Sequence, residues 1–456
     1  MIVISRGLAR GFRSLARKCV TGRPRGPAPP VVLEARDGTL TAWVRTEDAA
    51  LTYTAPSTCG DDLVVVPMAV VEAVEGAGDE PVELVVGPKL TGEARSTDRG
   101  VPAARSFDAV LPSKQHRPPD EPGDWHPAPA ELLTALHECG RTTARDAGRF
   151  ALTRLQVKGR AGQVVATDGR TALVWGGFRF PFGDDLLLPA VPVFGAKEFT
   201  GGREVRVGRT PTDLVVAAGP WRVFLPVDRA GRYPDVAGVA PRDSPTVAGI
   251  DEADAAALAD ALPRLPGADD EGRPVTLALD RAVTVLARDG ASGRVERVRL
   301  AGSPAAGPPA RVAVDRRALG RALSLGCHTV RLTEGKPVVF EGTDKTLVTV
   351  ALDATLVVRA GGRGSESDND TTSPVRRTAV RHETNGHNPG GRPDPSVADP
   401  PDALAAAEDL RAALADALGK AGRLVAALKG QRKEKKALTQ VWAGLRQLNL
   451  GPEGRP

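Results

Sequence analysis

The chain repeats itself at long range, and the length of the repeat limits what it can fold into. From Val31 runs "VVLEARDGTLTAWV": an alternating strand, an Asp37-Gly38 hairpin signal and a second strand. "TRLQVKGRAGQVVATDG" from Thr153 and "VTLALDRAVTVLARDG" from Val275 have the same form, each 122 residues after the last. Helical stretches keep step, with "PMAVVEAV" from Pro67, "PAVPVFGAKEF" from Pro189 and "VDRRALGRALSL" from Val314. An opening helix from Ser5 is echoed by "APAELLTALHEC" from Ala128 and "DEADAAALADAL" from Asp251. A period this long denotes repeated domains rather than a solenoid of short units. The expectation is an α+β chain of three tandem units, each with two helices packed on antiparallel sheets.

The proposed boundaries are 1–122, 123–244 and 245–359. Residues 89–127, rich in Pro, Arg and Asp, read as an extended surface connection. Residues 361–400 contain no Leu, Ile, Phe, Tyr, Trp or Met and cannot bury enough surface to order themselves. A disordered linker is therefore expected over 360–401, followed by a helical tail over 402–450 with apolar seams and the basic run "KGQRKEKK".

The opening helix has a distinctive pattern. Arg6, Arg10, Arg13 and Arg17 form one stripe, and Leu8, Phe12, Leu15 and Cys19 form the opposite one. No acid precedes Glu34. Three readings fit: a solvated basic face, an Arg-rich transit peptide, or a helix facing phosphates. Gly7 and Gly11 each weaken the helix by ~1 kcal/mol relative to Ala, so packing must hold it.

Composition narrows the function classes. The 456 residues suffice for about three domains, and 41% are hydrophobic. With 61 Lys+Arg against 56 Asp+Glu, the net charge of +5 is too mild to imply nucleic acid by itself. Arginine outnumbers lysine, and Ala, Gly and Pro abound, as a GC-rich genome produces. Cys19, Cys59, Cys139 and Cys327 never stand in CxxC spacing and fit a reducing cytosol. No apolar run approaches the ~20 residues that span a bilayer, and a cytoplasmic, nucleoid-associated protein without membrane contact is expected. There is no GxxxxGK[ST], GxGxxG after a strand, HExxH or GxSxG. His116, His126, His137, His328, His382 and His387 make no ligand-spaced cluster. Asp168 and Asp235 read as turn and junction residues. No enzyme activity, cofactor or metal is expected.

Within this repeat, "VATDGRTALVWGG" (165–177) and "GRYPDVAGVAP" (231–241) resemble phrases of bacterial sliding clamps, the beta subunit of the replicative DNA polymerase III. "VVLEARDGTLTAWVRTEDAALTYTAP" followed by "VVVPMAVVEAV" is similar to a clamp's first domain. The resemblance covers residues 1 to about 356. It implies a DNA polymerase processivity factor: a head-to-tail homodimer whose ring encircles duplex DNA without reading its sequence. Arg6, Arg10, Arg13, Arg17, Arg23 and Arg25 then face DNA. The resemblance also implies a hydrophobic pocket for short peptides of the polymerase catalytic subunit, the clamp loader and repair factors. Its positions here are Leu152, Thr167, Gly169, Arg170, Leu173, Pro234, Val239, Val348 and Val350.

This chain departs from the family in several places. Clamps usually carry His-Arg-Leu after the glycine, where this chain reads Arg170-Thr171-Ala172-Leu173. They end near the strand matched here by "TVALD", and the acids Asp251, Glu252, Asp254 and Asp260 mark the third opening helix. These departures keep open a second reading, a partner-binding scaffold outside replication. In the tail, Gln447-Leu448-Asn449-Leu450 resembles the Gln-Leu-x-Leu start of clamp-binding peptides, or simply completes an apolar seam.

Overall fold

A computed structural model describes residues 1–22, 26–98, 100–146, 151–202, 204–236, 238–241 and 243–359, together with the backbone of Val375–Ala379. Arg23, Arg25, the rest of the expected linker and the whole expected helical tail lie outside the described residues.

One order of elements occurs three times. The first pass is β1 (Ile2–Ser5), α1 (Arg6–Arg17), β2 (Val31–Arg36), β3 (Thr39–Arg45), β4 (Ala50–Pro56), β5 (Asp62–Val66), α2 (Met68–Val74), β6 (Pro81–Val86), β7 (Thr91–Asp98) and β8 (Val101–Asp108). The second is β9 (Trp125–Ala128), α3 (Glu131–Gly140), β10 (Arg154–Lys158), β11 (Gln163–Thr167), β12 (Thr171–Trp175), β13 (Asp185–Pro189), α4 (Lys197–Thr200), β14 (Val205–Arg209), β15 (Asp213–Ala218) and β16 (Trp221–Pro226). The third is β17 (Thr246–Gly249), α5 (Glu252–Ala261), β18 (Pro274–Asp280), β19 (Ala282–Arg288), β20 (Val295–Ala306), β21 (Ala310–Asp315), α6 (Arg316–Ser324), β22 (Thr329–Leu332), β23 (Val338–Glu341) and β24 (Lys345–Thr349). A last strand, β25 (Val375–Ala379), follows.

The sheets cross the repeat boundaries. β4 pairs antiparallel with β16, Ala50 to Tyr53 against Phe224 to Trp221, giving the sheet order β5-β2-β3-β4-β16-β15-β14-β9. β12 pairs with β24 in the same way, Thr171 to Trp175 against Thr349 to Lys345. Each joint therefore sets the fourth strand of one repeat against the last strand of the next. β8 has the place of β16 and β24 in the first repeat, and ends the sheet β1-β6-β7-β8.

Helices cross the same boundaries. Ser14 Oγ of α1 donates to Glu198 Oε1 of α4 at 3.0 Å, and Arg321 Nε of α6 donates to Glu138 Oε2 of α3 at 3.2 Å.

Local chemistry explains the opening helix. Ser5 Oγ caps α1 by accepting from Leu8 N, while Ala9, Phe12, Leu15 and Ala16 are buried. Burying Phe12 and Leu15 contributes about 1.5–3 kcal/mol each. Both glycines sit at close approaches. A side-chain carbon at Gly7 would stand 3.1 Å from the Gly78 carbonyl oxygen, and one at Gly11 would stand 3.7 Å from Trp221. Trp221 lies between Phe12 and Tyr53, with ring centroids 6.2 and 4.7 Å away. With β1 paired to β6, the opening segment is part of the first sheet and core.

Three expectations change. Residues 91–108 form the β7–β8 hairpin rather than an extended connection, because both strands carry polar residues and β8 is largely exposed. The helix expected from Pro189 is a 3-10 turn at Pro192–Gly195 followed by the short α4. Pro192 sets the turn's opening dihedral, and a side-chain carbon at Gly195 would stand 2.4 Å from the His137 ring. Inside the segment expected to lack structure, Val375–Ala379 is a strand, paired to β20.

Trp221→Ala removes the aromatic wedge between the first two repeats, so a stability loss of about 3–5 kcal/mol is expected. Urea unfolding followed by circular dichroism measures it, and a loss below ~1 kcal/mol contradicts the packing described.

Candidate nucleic-acid interface and peptide slot

The arginine stripe of α1 divides into two kinds of side chain. Arg10 and Arg17 are exposed, with Arg17 Nη2 only at the limit of an ion pair, 4.0 Å from Glu72 Oε1. Arg13 is clamped by acids from α2 and its end: its Nε and Nη2 reach the Glu75 carboxylate at 2.5 and 2.6 Å, and its Nη1 reaches Glu72 Oε1 at 2.9 Å. Arg6 Nη2 donates to the Glu75 carbonyl at 3.2 Å. Arg10, Arg13, Ser14, Arg17, Lys18 and Glu198 line a cleft of about 310 Å³. Within it the Glu198 carboxyl is held below its ordinary pKa, first by backbone hydrogen bonding, then by the Ser14 hydroxyl and the charges of Lys18 and Arg10. The face that looked acid-free along the chain thus acquires two glutamates once α2 packs beside α1.

The third repeat changes in the opposite sense. Asp251 caps α5, accepting from Ala253 N at 2.9 Å. Asp254 is 2% exposed and accepts from Ser303 Oγ at 2.7 Å and Gly302 N at 2.9 Å. Two of the four acids therefore serve the fold, while Glu252 and Asp260 are exposed. The arginines of α6 are engaged as well. Arg316 is buried and donates to the carbonyls of Leu262, Leu265 and Pro266. Arg317 pairs with Asp315, and Arg321 with Glu138.

Most of the residues expected to line a peptide pocket converge where β12 meets β24. Asp168 Oδ1 accepts from Arg170 N and Thr171 N, forming the tight turn between β11 and β12. Gly169 takes φ of +88°, and a side-chain carbon there would lie 3.9 Å from Leu152 Cδ1. The Arg170 carbonyl accepts from Val350 N at 2.9 Å, continuing the ladder past β24. Thr167 Oγ1 accepts from Gly169 N and donates to the Thr171 carbonyl. Val348 is buried with Val165, Ala172, Val236 and Val339, and Tyr233 and Ala240 pack against them. Val239 and Val350, at 49% and 39% exposed, leave apolar surface open beside this floor. Pro234 is half-buried in the same loop.

Leu173 goes elsewhere. Strand alternation turns it into the main core, fully buried, and the preceding residue, Ala172, holds the slot side. Counted from Gly169, Ala172 is the third residue, the place that leucine has in the family phrase.

Tyr233, which the motif comparison passed over, is the strut. Its hydroxyl oxygen accepts from Thr167 N at 3.1 Å, and burial raises the phenol's pKa above its ordinary value. The clue in the sequence was an aromatic directly before Pro234 in an otherwise small-residue loop. The buried thiols are poor nucleophiles, since burial pushes Cys19 up to about 12 and Cys327 to about 11.

No family model matches the sequence, and no curated protein matches it. Solved structures do. The DNA polymerase III subunit beta of Borrelia burgdorferi superposes with a TM-score of 0.63 at 12% identity, over 77% of this chain and 99% of that one. The subunit from Pseudomonas aeruginosa gives 0.62 at 15% identity, and that from Thermotoga maritima 0.63 at 14%, with the same coverage. The chain has the sliding-clamp fold. Identities this low establish the fold, and function must be argued from this chain's own residues.

Tyr233→Phe leaves the Thr167 N–H without its acceptor, with an expected stability loss of about 1–3 kcal/mol. A thermal unfolding scan against the wild type measures it, and an unchanged midpoint contradicts the strut role.

Proposed function

We propose that the protein is a DNA polymerase processivity factor, a clamp of three domains (1–122, 123–244 and 245–359) that pairs head to tail with a second copy around duplex DNA. The repeated joint carries this reading. β4–β16 and β12–β24 use the same strands of successive repeats, so β20 and β8 are the matching ends by which a second copy closes a ring. A heterologous contact that closes gives a ring, and a ring holds DNA by topology. Its inner charges need only attract phosphates without fixing a register.

On α1 that task falls chiefly to Arg10 and Arg17, with Arg6 and Arg13 tied to the Glu72–Glu75 end of α2. Arg23 and Arg25, which follow α1 in the sequence, share that task in this reading. The slot of Leu152, Thr167, Gly169, Arg170, Pro234, Val239, Val348 and Val350 takes an apolar anchor of a polymerase, loader or repair-factor peptide. The ring works as a non-catalytic accessory, in the cytoplasm where the chromosome lies, and needs no cofactor.

One observation favours the alternative, a clamp-fold scaffold outside replication. The charges of Arg13, Arg317 and Arg321 are all matched by acids, which leaves a DNA face thinner than the sequence implies.

The test is retention on DNA. The protein, with its cognate loader, is expected to stay on nicked circular duplex through a gel-filtration column and to leave when the circle is cut. Equal retention on circular and linear DNA, or none on either, contradicts the clamp reading. Replacing Arg10 and Arg17 by Gln is expected to lower the log–log salt slope of DNA binding by about one unit each. Arg13→Gln is expected to leave the slope nearly unchanged, and a full unit lost there contradicts the division of the stripe.

A further inference from the structure

The edge that the proposed ring must use is already occupied. β25 pairs antiparallel with β20, setting Glu296, Arg297, Val298, Arg299 and Leu300 against Ala379, Thr378, Arg377, Arg376 and Val375. β20 is the fourth strand of its repeat, the counterpart of β4 and β12. Each of those strands presents its outer edge to the last strand of another repeat. At β20 the same edge receives a strand from residues beyond the third repeat.

We propose that the outer edge of β20 is a strand-docking surface whose resident occupant is the chain's own Val375–Ala379, and that a second copy's β8 must displace it to close a ring. The inference rests on the proposed head-to-tail ring.

Geometry makes the two occupants exclusive. A strand has two edges; β20 spends one on β19 over Val295 to Leu300, and only its far end, Ala305 and Ala306, pairs with β17. The remaining row of N–H and C=O groups can bond one neighbour only. The lengths are comparable. β25 forms a five-pair ladder, against five pairs at β12–β24 and four at β4–β16. In main-chain pairing, the internal strand matches the joints that hold successive repeats together. Being tethered, it also acts at high effective concentration without an encounter step.

β8 is the complementary loose end. One edge pairs with β7, and no further strand follows it in its sheet among the described residues. Val101 on it is 65% exposed. Sequence chemistry also supports β25 as a strand. "VRRTAV" brings three β-branched residues, Val375, Thr378 and Val380, to a stretch otherwise dominated by Gly, Pro, Ser, Asp and Asn. A segment too polar to order itself gains order from a ready-made edge, the mode known as β-augmentation.

The test keeps the full chain. Successive residues of a strand aim their N–H groups at opposite neighbours, so Arg376→Pro with Arg377→Pro removes the donor that faces β20, whichever residue holds it. A second variant deletes 375–379. Hydrogen exchange of the 375–381 amides reads docking, and sedimentation equilibrium reads the dimer constant.

The expected result is slow exchange at alternate amides in the wild type, free-chain exchange in the proline variant, and a dimer at least tenfold tighter in both variants. Free exchange in the wild type, or equal dimer constants in all three proteins, overturns the inference and leaves the ring intact. Loss of protection with no dimer from any of the three at the highest concentration overturns the ring reading itself, and the competition with it.

Discussion

Strand edges are the constraint on which this structure depends. A β-strand at the margin of a sheet carries a row of unpaired donors and acceptors that must find a partner or be blunted. Each repeat has two strands whose outer edges need a partner, its fourth and its last. The chain satisfies these margins by joining repeat to repeat, at β4–β16 and β12–β24. The helices follow: α1 reaches α4 through Ser14 and Glu198, and α3 reaches α6 through Glu138 and Arg321. A rule that pairs successive repeats leaves one unmatched margin at each end, β8 and β20. The proposed ring rests on their complementarity, and the proposed control of it rests on the pairing of β25 with β20.

Electrostatics follows from the same packing. Setting α2 against α1 brings Glu72 and Glu75 to Arg13, so a stripe that is uniformly basic along the chain becomes partly neutral in space. In α5 the reverse happens, because Asp254 turns inward to Ser303 and Gly302. A basic or acidic helix read from its own residues gives only half of its field. The other half comes from whichever helix lies beside it.

The repeat was legible because it has a fixed period, and each copy carries the same alternation of strands and helices. Asp168 was legible as a turn residue because a short carboxylate can accept from the N–H groups two and three residues on, as it does from Arg170 and Thr171. What was not legible depended on distant partners. Leu173 and Ala172 differ by one position, and a one-residue register step sends a strand residue to the opposite face. Tyr233 finds its partner at Thr167, far away in sequence. Gly7 and Gly11 read as helix weaknesses until the Gly78 carbonyl and Trp221 occupy the space beside them. The β7–β8 hairpin was missed because its buried face is carried mainly by small residues, Gly92 and Ala94, with Phe107 packed against the core, so no run of alternating large apolar residues marks its period.

The central claim, that β8 and β20 are complementary ends of a two-chain ring, is tested most directly by interchain cross-linking. A cysteine replacing Ala104 in β8 and another replacing Arg299 in β20, in a chain carrying Cys59→Ser and the two prolines in β25, place a thiol at each proposed end. Treatment with a bismaleimide is predicted to give covalent pairs of chains joined at both ends, with no larger species. Single chains only, or an open ladder of trimers and longer multimers, would contradict the account.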